Sequence, residues 1–125
     1  RQQQMQDFPM KQFSVVQGMR YMENKSYQLR YLPLFEQDLI STANYITNVL
    51  KNEDAALRLI DDVEAAILER LHNPIAFEPY HSAKKHNYPY YRIYVKNYVI
   101  YYVVIDDVME VRRLMYGARD TDRHL

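Results

Sequence analysis

Side chains that could bind a phosphate group or move a proton on it are concentrated in the second half of the chain. Arg92 lies in the run YYRIYV, and a guanidinium can hold a phosphate through two parallel hydrogen bonds. The loop before it carries Lys84 and Lys85 between His81 and His86. A lysine or histidine there could act as a general base or acid if burial or a nearby cation lowered its pKa. Taken singly, these signals are explained more simply by an exposed strand arginine and a solvated loop.

A second cationic group ends the chain, in the segment EVRRLMYGARDTDRHL at residues 110–125. Strand alternation would place Arg112 and Tyr116 on one face and Arg113 on the other, unless a bulge intervenes. Arg119 follows shortly after this strand. A C-terminal strand with a charged tail is the alternative interpretation.

Convergence of the two groups favours a site over that alternative. In a meander, the loop before one strand and the end of a later strand can approach the same face of the sheet. Arg92, the loop 84–86, Tyr116 and Arg119 could then share one site. We expect no metal and no cofactor, because no spacing of histidines and carboxylates resembles a metal site and no glycine-rich phosphate loop occurs.

The composition fits a single small domain. The chain has 125 residues, of which 48% are hydrophobic and 26% charged, so it can bury a core. The absence of cysteine excludes disulfides and thiolate metal sites. No apolar run approaches the ~18 residues of a membrane span, and nothing resembles a secretory leader, so we expect a cytoplasmic protein.

Charge is unevenly distributed although the net charge is zero. Residues 33–73 carry three basic and eight acidic side chains, a balance of −5, whereas residues 79–125 carry eight basic and five acidic ones, a balance of +3. The basic part also holds nine of the 13 tyrosines. Cations interleaved with aromatic rings suit nucleic acid, but a solvated strand face with half-buried tyrosines gives the same pattern.

Periodicity predicts an α+β domain in which a helical hairpin packs on an antiparallel sheet. The predicted order is β-α-α-β-β-β. The elements are a strand at 27–32, a helix at 33–50, a helix that follows the N-cap Asn52 and ends at Asn73-Pro74, and strands at 90–95, 98–105 and 108–116.

Residues 1–26 differ from the rest, because they are rich in Gln and Met and have no sustained period. We expect an N-terminal extension at 1–26 outside a core domain at 27–125, and we expect the extension to be ordered by packing on the domain or on a second copy. Deletion of residues 1–21 should leave the β-α-α-β-β-β domain folded.

The run HSAKKHNYPYYRIYVKNYVIYYVVIDDVMEVRRLMYGARDTDRHL resembles the C-terminal half of the RelE/ParE superfamily of toxins from bacterial type II toxin–antitoxin systems. The upstream strand and helical hairpin match the family order, so the resemblance covers residues 27–125. It implies a microbial RNase-like fold and a cognate antitoxin that masks the active face. It also implies growth arrest when the toxin is free.

The superfamily has two branches, which leave two functions open. One branch cleaves messenger RNA on the ribosome without a cofactor, and this mRNA interferase activity is our first expectation. The other branch inhibits DNA gyrase by binding it, and neutral charge together with the YGARD ending favours that branch. A non-toxic interaction module of the same fold is a further alternative.

The resemblance also implies roles for individual side chains. Lys84 or Lys85 falls where the ribonucleases keep a basic loop group, and Arg92 and Arg119 fall where they keep phosphate-binding arginines. Tyr116 lies where many members have a terminal-strand His or Tyr. These five residues are the candidate catalytic set. Replacing Arg92 or Arg119 by alanine should abolish activity while the fold survives.

Overall fold

The computed structural model describes residues 26–80 and 87–117. In chain order these residues form β1 (Gln28–Tyr31), α1 (Pro33–Asn48), α2 (Glu53–Arg70), β2 (Tyr91–Val95), β3 (Tyr98–Ile105) and β4 (Val108–Tyr116). The predicted order and α+β class are confirmed. The bounds of β3 and β4 match the prediction, whereas α2 ends at Arg70, before the predicted Asn73-Pro74 stop.

The four strands form one sheet in the order β1-β4-β3-β2. Strands β2, β3 and β4 are the predicted antiparallel meander, but β1 pairs parallel to β4, with Gln28 opposite Val108 and Tyr31 opposite Val111. The sheet is therefore mixed. Side-chain alternation reveals which residues face the core but not which strand is the neighbour, so it could not reveal this parallel pair. The pairing makes β4 a central strand.

The helical hairpin covers one face of the sheet and encloses the main core. Pro33 begins α1, where its missing N–H costs no hydrogen bond. The buried helix residues recur every three or four positions, so each helix presents one apolar stripe to the sheet. Buried residues of this core include Phe35, Leu39, Ala43 and Ile46 from α1, Ala56, Leu59, Ile60, Val63 and Ile67 from α2, and Ile100, Tyr102, Met109 and Val111 from the sheet.

The start of α2 confirms the predicted cap. Asn52 Oδ1 accepts a hydrogen bond from the Ala55 backbone N–H at 3.1 Å, and Glu53 and Asp54 lie in the first turn, where negative charge opposes the helix dipole favourably.

We expect Asn52→Ala to lower the free energy of unfolding by about 1 kcal/mol, because an N–H at the helix end loses its acceptor. The melting temperature should fall by about 5 °C in a thermal unfolding experiment followed by circular dichroism. Asn52→Asp, which keeps an acceptor oxygen, is the matched control. An unchanged melting temperature for the alanine variant would contradict this role of the cap.

The residue after β4 is hydrogen-bonded to the turn between β2 and β3. The Gly117 N–H donates to the Asn97 carbonyl at 2.7 Å, and Gly117 takes a positive φ of 73° that suits glycine. In the turn itself the left-handed residue is Lys96, with φ of 54°. Within the described ranges, no helix is long and apolar enough to cross a membrane.

Candidate functional site

The sheet face opposite the helices carries a second, smaller apolar cluster. It consists of buried Tyr90, Val99, Tyr101 and Val103, with Tyr80, Ile105 and Met115 packed against them. We call this side the tyrosine face. Side chains alternate along β2, because Tyr91, Ile93 and Val95 belong to the main core while Arg92 lies on the tyrosine face opposite Tyr101.

Arg92 is held by aromatic rings. Its guanidinium carbon lies 4.3 Å from the ring centroid of Tyr80 and 5.5 Å from that of Tyr94. Tyr80 is itself fixed by its backbone N–H, which donates to the Tyr90 carbonyl at 2.6 Å. No carboxylate in the described part of the chain pairs with Arg92. A guanidinium that stacks on a ring still has the N–H groups at its edge available for hydrogen bonds. Arg92 is therefore a cation that is already oriented to bind an anionic ligand.

Arg112 lies on the same face, at a β-bulge in β4. Val111 pairs with Tyr102 and Arg113 with Tyr101, so Arg112 is the extra residue in β4. Its Nη1 donates to Tyr90 Oη at 3.1 Å, and its Nη2 lies 3.7 Å from Glu110 Oε1. The exception that we allowed for strand alternation therefore occurs here.

Glu110 is the buried carboxylate of the tyrosine face, with 6% of its surface exposed. It lies between Arg112 and Arg30 of β1, whose Nη1 is 4.0 Å away. The parallel register places Arg30 directly beside Glu110. A buried carboxylate is costly unless cations accompany it, and here two arginines share one. The group of three keeps a balance of +1.

Tyr116 lies on the other side of the sheet from Arg92. It pairs with Tyr98, and their ring centroids are 5.3 Å apart. Tyr98 packs against the main core, where burial raises its pKa and the neighbouring Tyr116 and Tyr45 raise it further. The structure thus separates Arg92 from Tyr116, which we had expected to share one face.

Three of the predicted site residues, Lys84, Lys85 and Arg119, lie outside the described residues, as do His81 and His86. Their roles stay predictions. Of the five candidate catalytic residues, Arg92 and Tyr116 have described positions.

Arg113, a member of the C-terminal cationic group, forms a structural contact with Asp38 in α1. Its Nε and Nη2 donate to the two carboxylate oxygens of Asp38 in α1 at 2.8 and 3.1 Å. The backbone N–H of Leu114 also donates to Asp38, at 3.0 Å. The second arginine of the RR pair therefore joins β4 to α1.

Arg70, at the end of α2, is hydrogen-bonded to the backbone of Arg92. The sequence analysis did not predict a role for Arg70. Its Nη1 donates to the Arg92 carbonyl at 3.1 Å and to Tyr102 Oη at 2.9 Å, while its guanidinium lies 3.6 Å from the Phe77 ring centroid. Burial raises the pKa of Tyr102 to about 12, although Arg70 acts in the opposite direction. Tyr102 therefore stays neutral and donates to the Pro74 carbonyl at 2.7 Å.

Sequence reasoning missed Arg30, Arg70, Glu110 and Tyr80. A basic residue in the last turn of a helix was the available signal for Arg70, because cations favour helix C-termini. Glu110 interrupts an apolar strand, and a charge there requires partners if the position is buried. Arg30 and Tyr80 gave no such signal, because their contacts depend on the parallel pairing and on an irregular segment.

The arrangement as a whole can bind anions. Arg92 and Arg112 both lie on the tyrosine face, and each is oriented by tyrosine side chains. The described part of the face offers arginine cations and tyrosine hydroxyl groups, with Glu110 as a buried carboxylate between two of the arginines.

Comparison with known proteins agrees with this architecture. A family model described as ParE toxin of type II toxin-antitoxin system, parDE, matches residues 29–121. A comparison with curated proteins gave no match. Apart from Gln28, the first residue of β1, the matched range includes every strand and helix described above, and it extends beyond Tyr116, the last residue of β4. The chain therefore belongs to the ParE toxin family of type II toxin–antitoxin systems.

Proposed function

We propose that this toxin acts by binding its target, as a ParE-type inhibitor of DNA gyrase. The observation that carries the proposal is the family match, which covers residues 29–121 and names the ParE rather than the RelE group. Membership of a toxin–antitoxin family also implies a cognate antitoxin as partner.

The positions of the candidate catalytic residues support a binding function. Cleavage of messenger RNA requires a base, an acid and cations around one phosphate group. Arg92 and Tyr116 were to serve the same phosphate, but they lie on opposite sides of the sheet. Binding a protein or a protein–DNA complex does not require Arg92 and Tyr116 to lie near the same phosphate group.

Ribosome-dependent cleavage of messenger RNA is the second candidate function. Arg92 favours it, because a stacked arginine without a carboxylate partner in the described ranges suits a phosphate. The basic segment 84–86 precedes the strand that carries Arg92 in the sequence. If that segment supplies the base, the ribonuclease would work without Tyr116.

One induction experiment separates the two candidates. The full chain is expressed in bacteria without its antitoxin, and growth is followed with and without co-expressed antitoxin. For the gyrase inhibitor we expect growth arrest, a DNA damage response and trapped gyrase–DNA complexes, with intact messages by primer extension. New 5′ ends within codons, without gyrase complexes, would replace our proposal by the ribonuclease. Normal growth at verified expression of folded protein would contradict both.

We expect Arg92→Ala to reduce toxicity by about tenfold or more, because a lost charge-assisted contact is worth at least 1.4 kcal/mol of binding free energy. The free energy of unfolding should fall by only about 0.5–1 kcal/mol, which is the contribution of the contacts between Arg92 and the tyrosine rings. Toxicity is measured as the inducer concentration that halves growth, at matched amounts of folded protein. Arg58→Ala, in the exposed part of acidic α2, is the control and should be near neutral. If Arg92→Ala unfolds the protein, the arginine is structural and the site is wrong.

A further inference from the structure

The tyrosine face carries arginines on both sides of an apolar centre. Arg92 on β2 pairs with Tyr101 of the intervening strand β3, and Arg112 on β4 is the unpaired bulge residue on the other side of β3, next to Tyr101 and Tyr102. Strands are spaced at about 4.8 Å, so the backbones of these two arginines are about 10 Å apart. Arg30 adds a third cation at the β1 edge, and its side chain is 55% exposed. Cations thus extend across the width of the sheet, with Glu110 as the carboxylate between two of them.

The opposite side of the molecule has the reverse charge. Residues 33–73, which include both helices, carry eight acidic and three basic side chains. A polyanion would be repelled by the helices and attracted to the tyrosine face. The charge distribution therefore orients such a partner, even though the net charge of the chain is zero.

Most tyrosine rings of the tyrosine face are buried or covered by other side chains of the protein. Tyr90 and Tyr101 are buried, with 5% and 0% of their surfaces exposed, and the Tyr80 ring is covered by Arg92. Single-stranded RNA is typically bound by stacking its bases on exposed rings. Among the tyrosines of this face named above, only Tyr94 is largely exposed, at 59%. The face therefore offers phosphate contacts rather than stacking platforms, which is the chemistry of a duplex backbone.

We propose that the tyrosine face contacts the phosphate backbone of duplex DNA, with Arg92 and Arg112 as the principal ligands. This inference rests on the proposed function, because a gyrase inhibitor meets its target on DNA. The contact is independent of base sequence. Arg92 is oriented by Tyr80 and Arg112 by Tyr90 and Glu110, so neither guanidinium must be ordered when DNA binds.

The test measures binding of the purified full chain to a short fluorescein-labelled duplex of random sequence by anisotropy, without gyrase. Two phosphate contacts give an expected salt slope near −1.8, so affinity should fall about tenfold between 50 and 200 mM salt. Arg92→Gln and Arg112→Gln should each weaken binding and reduce the magnitude of that slope by about 1. Arg58→Gln, on the acidic α2, should bind like the unmodified protein. Circular dichroism of each variant confirms that the fold is intact.

Three outcomes would overturn the inference. Undetectable duplex binding at 50 mM salt is the first, and equal binding by folded Arg92→Gln, Arg112→Gln and Arg58→Gln variants is the second. The third is tighter binding of a single-stranded RNA of equal length, which would make the face an RNA surface. Gyrase inhibition is assayed separately by DNA supercoiling. If the protein binds duplex DNA through Arg92 but does not inhibit gyrase, the proposed DNA contact is supported and the proposed function is wrong.

Discussion

Replacing Asp38 by alanine is expected to lower the free energy of unfolding by about 3 kcal/mol. The carboxylate accepts two hydrogen bonds from Arg113 and one from the Leu114 backbone, and both charged side chains are mostly buried, with 15% and 20% exposed. Removing one partner leaves the other charge without compensation in a partly buried place. The melting temperature should fall by about 10–15 °C, measured by scanning calorimetry.

The protein offers a matched control for this prediction. Lys96 and Asp62 form an ion pair at 3.1 Å, but their side chains are 58% and 45% exposed. Solvent screens such a pair, so Asp62→Ala should cost less than about 1 kcal/mol. Asp38→Asn, which keeps an acceptor for the Leu114 N–H, should fall between the two. Similar losses for Asp38→Ala and Asp62→Ala would show that burial and the additional hydrogen bond at Asp38 add no stability.

Replacing Arg70 by alanine is expected to cost about 2 kcal/mol. The change removes hydrogen bonds to the Arg92 carbonyl and to Tyr102 Oη, together with the stacking on Phe77. Arg70→Lys should recover only part of the loss, because an ammonium lacks the planar fork that serves these partners together. Chemical denaturation with urea provides the measurement.

A double-mutant cycle with Tyr102→Phe tests whether Arg70 and Tyr102 act as one network. Their hydrogen bond predicts a coupling energy of about 1 kcal/mol, so the double variant should lose less than the sum of the single losses. Tyr102→Phe alone should cost about 1–2 kcal/mol, since the carbonyl of buried Pro74 loses its donor. Strictly additive losses would mean that the two side chains stabilise the protein independently.

The fold was largely accessible from the sequence because its signals are local. Pro33 and Asn52 mark helix starts, and the change of period after Pro74 marks the sheet. The parallel partner of β1 was not accessible, because a strand of four residues carries no information about its neighbour.

The candidate site was only partly accessible, for physical reasons that particular residues illustrate. Arg92 could be assigned a face by alternation, and the structure agrees. Tyr116 could not, because one extra residue at Arg112 reverses the facing of everything that follows in β4. The stacking of Arg92 on Tyr80 depends on a segment without regular structure, where no period guides prediction.

The parallel pairing of β1 with β4 also determines when the domain can assemble. Gln28 finds its partner Val108 eighty residues further along the chain, and β4 is the last strand of the described structure. During synthesis at roughly 5–20 residues per second, the helical hairpin emerges seconds before the strand that completes the sheet. The chain must close a long loop before its central strand is in place, which slows folding. The domain therefore cannot complete its sheet until Val108–Tyr116 has been translated, seconds after the helical hairpin.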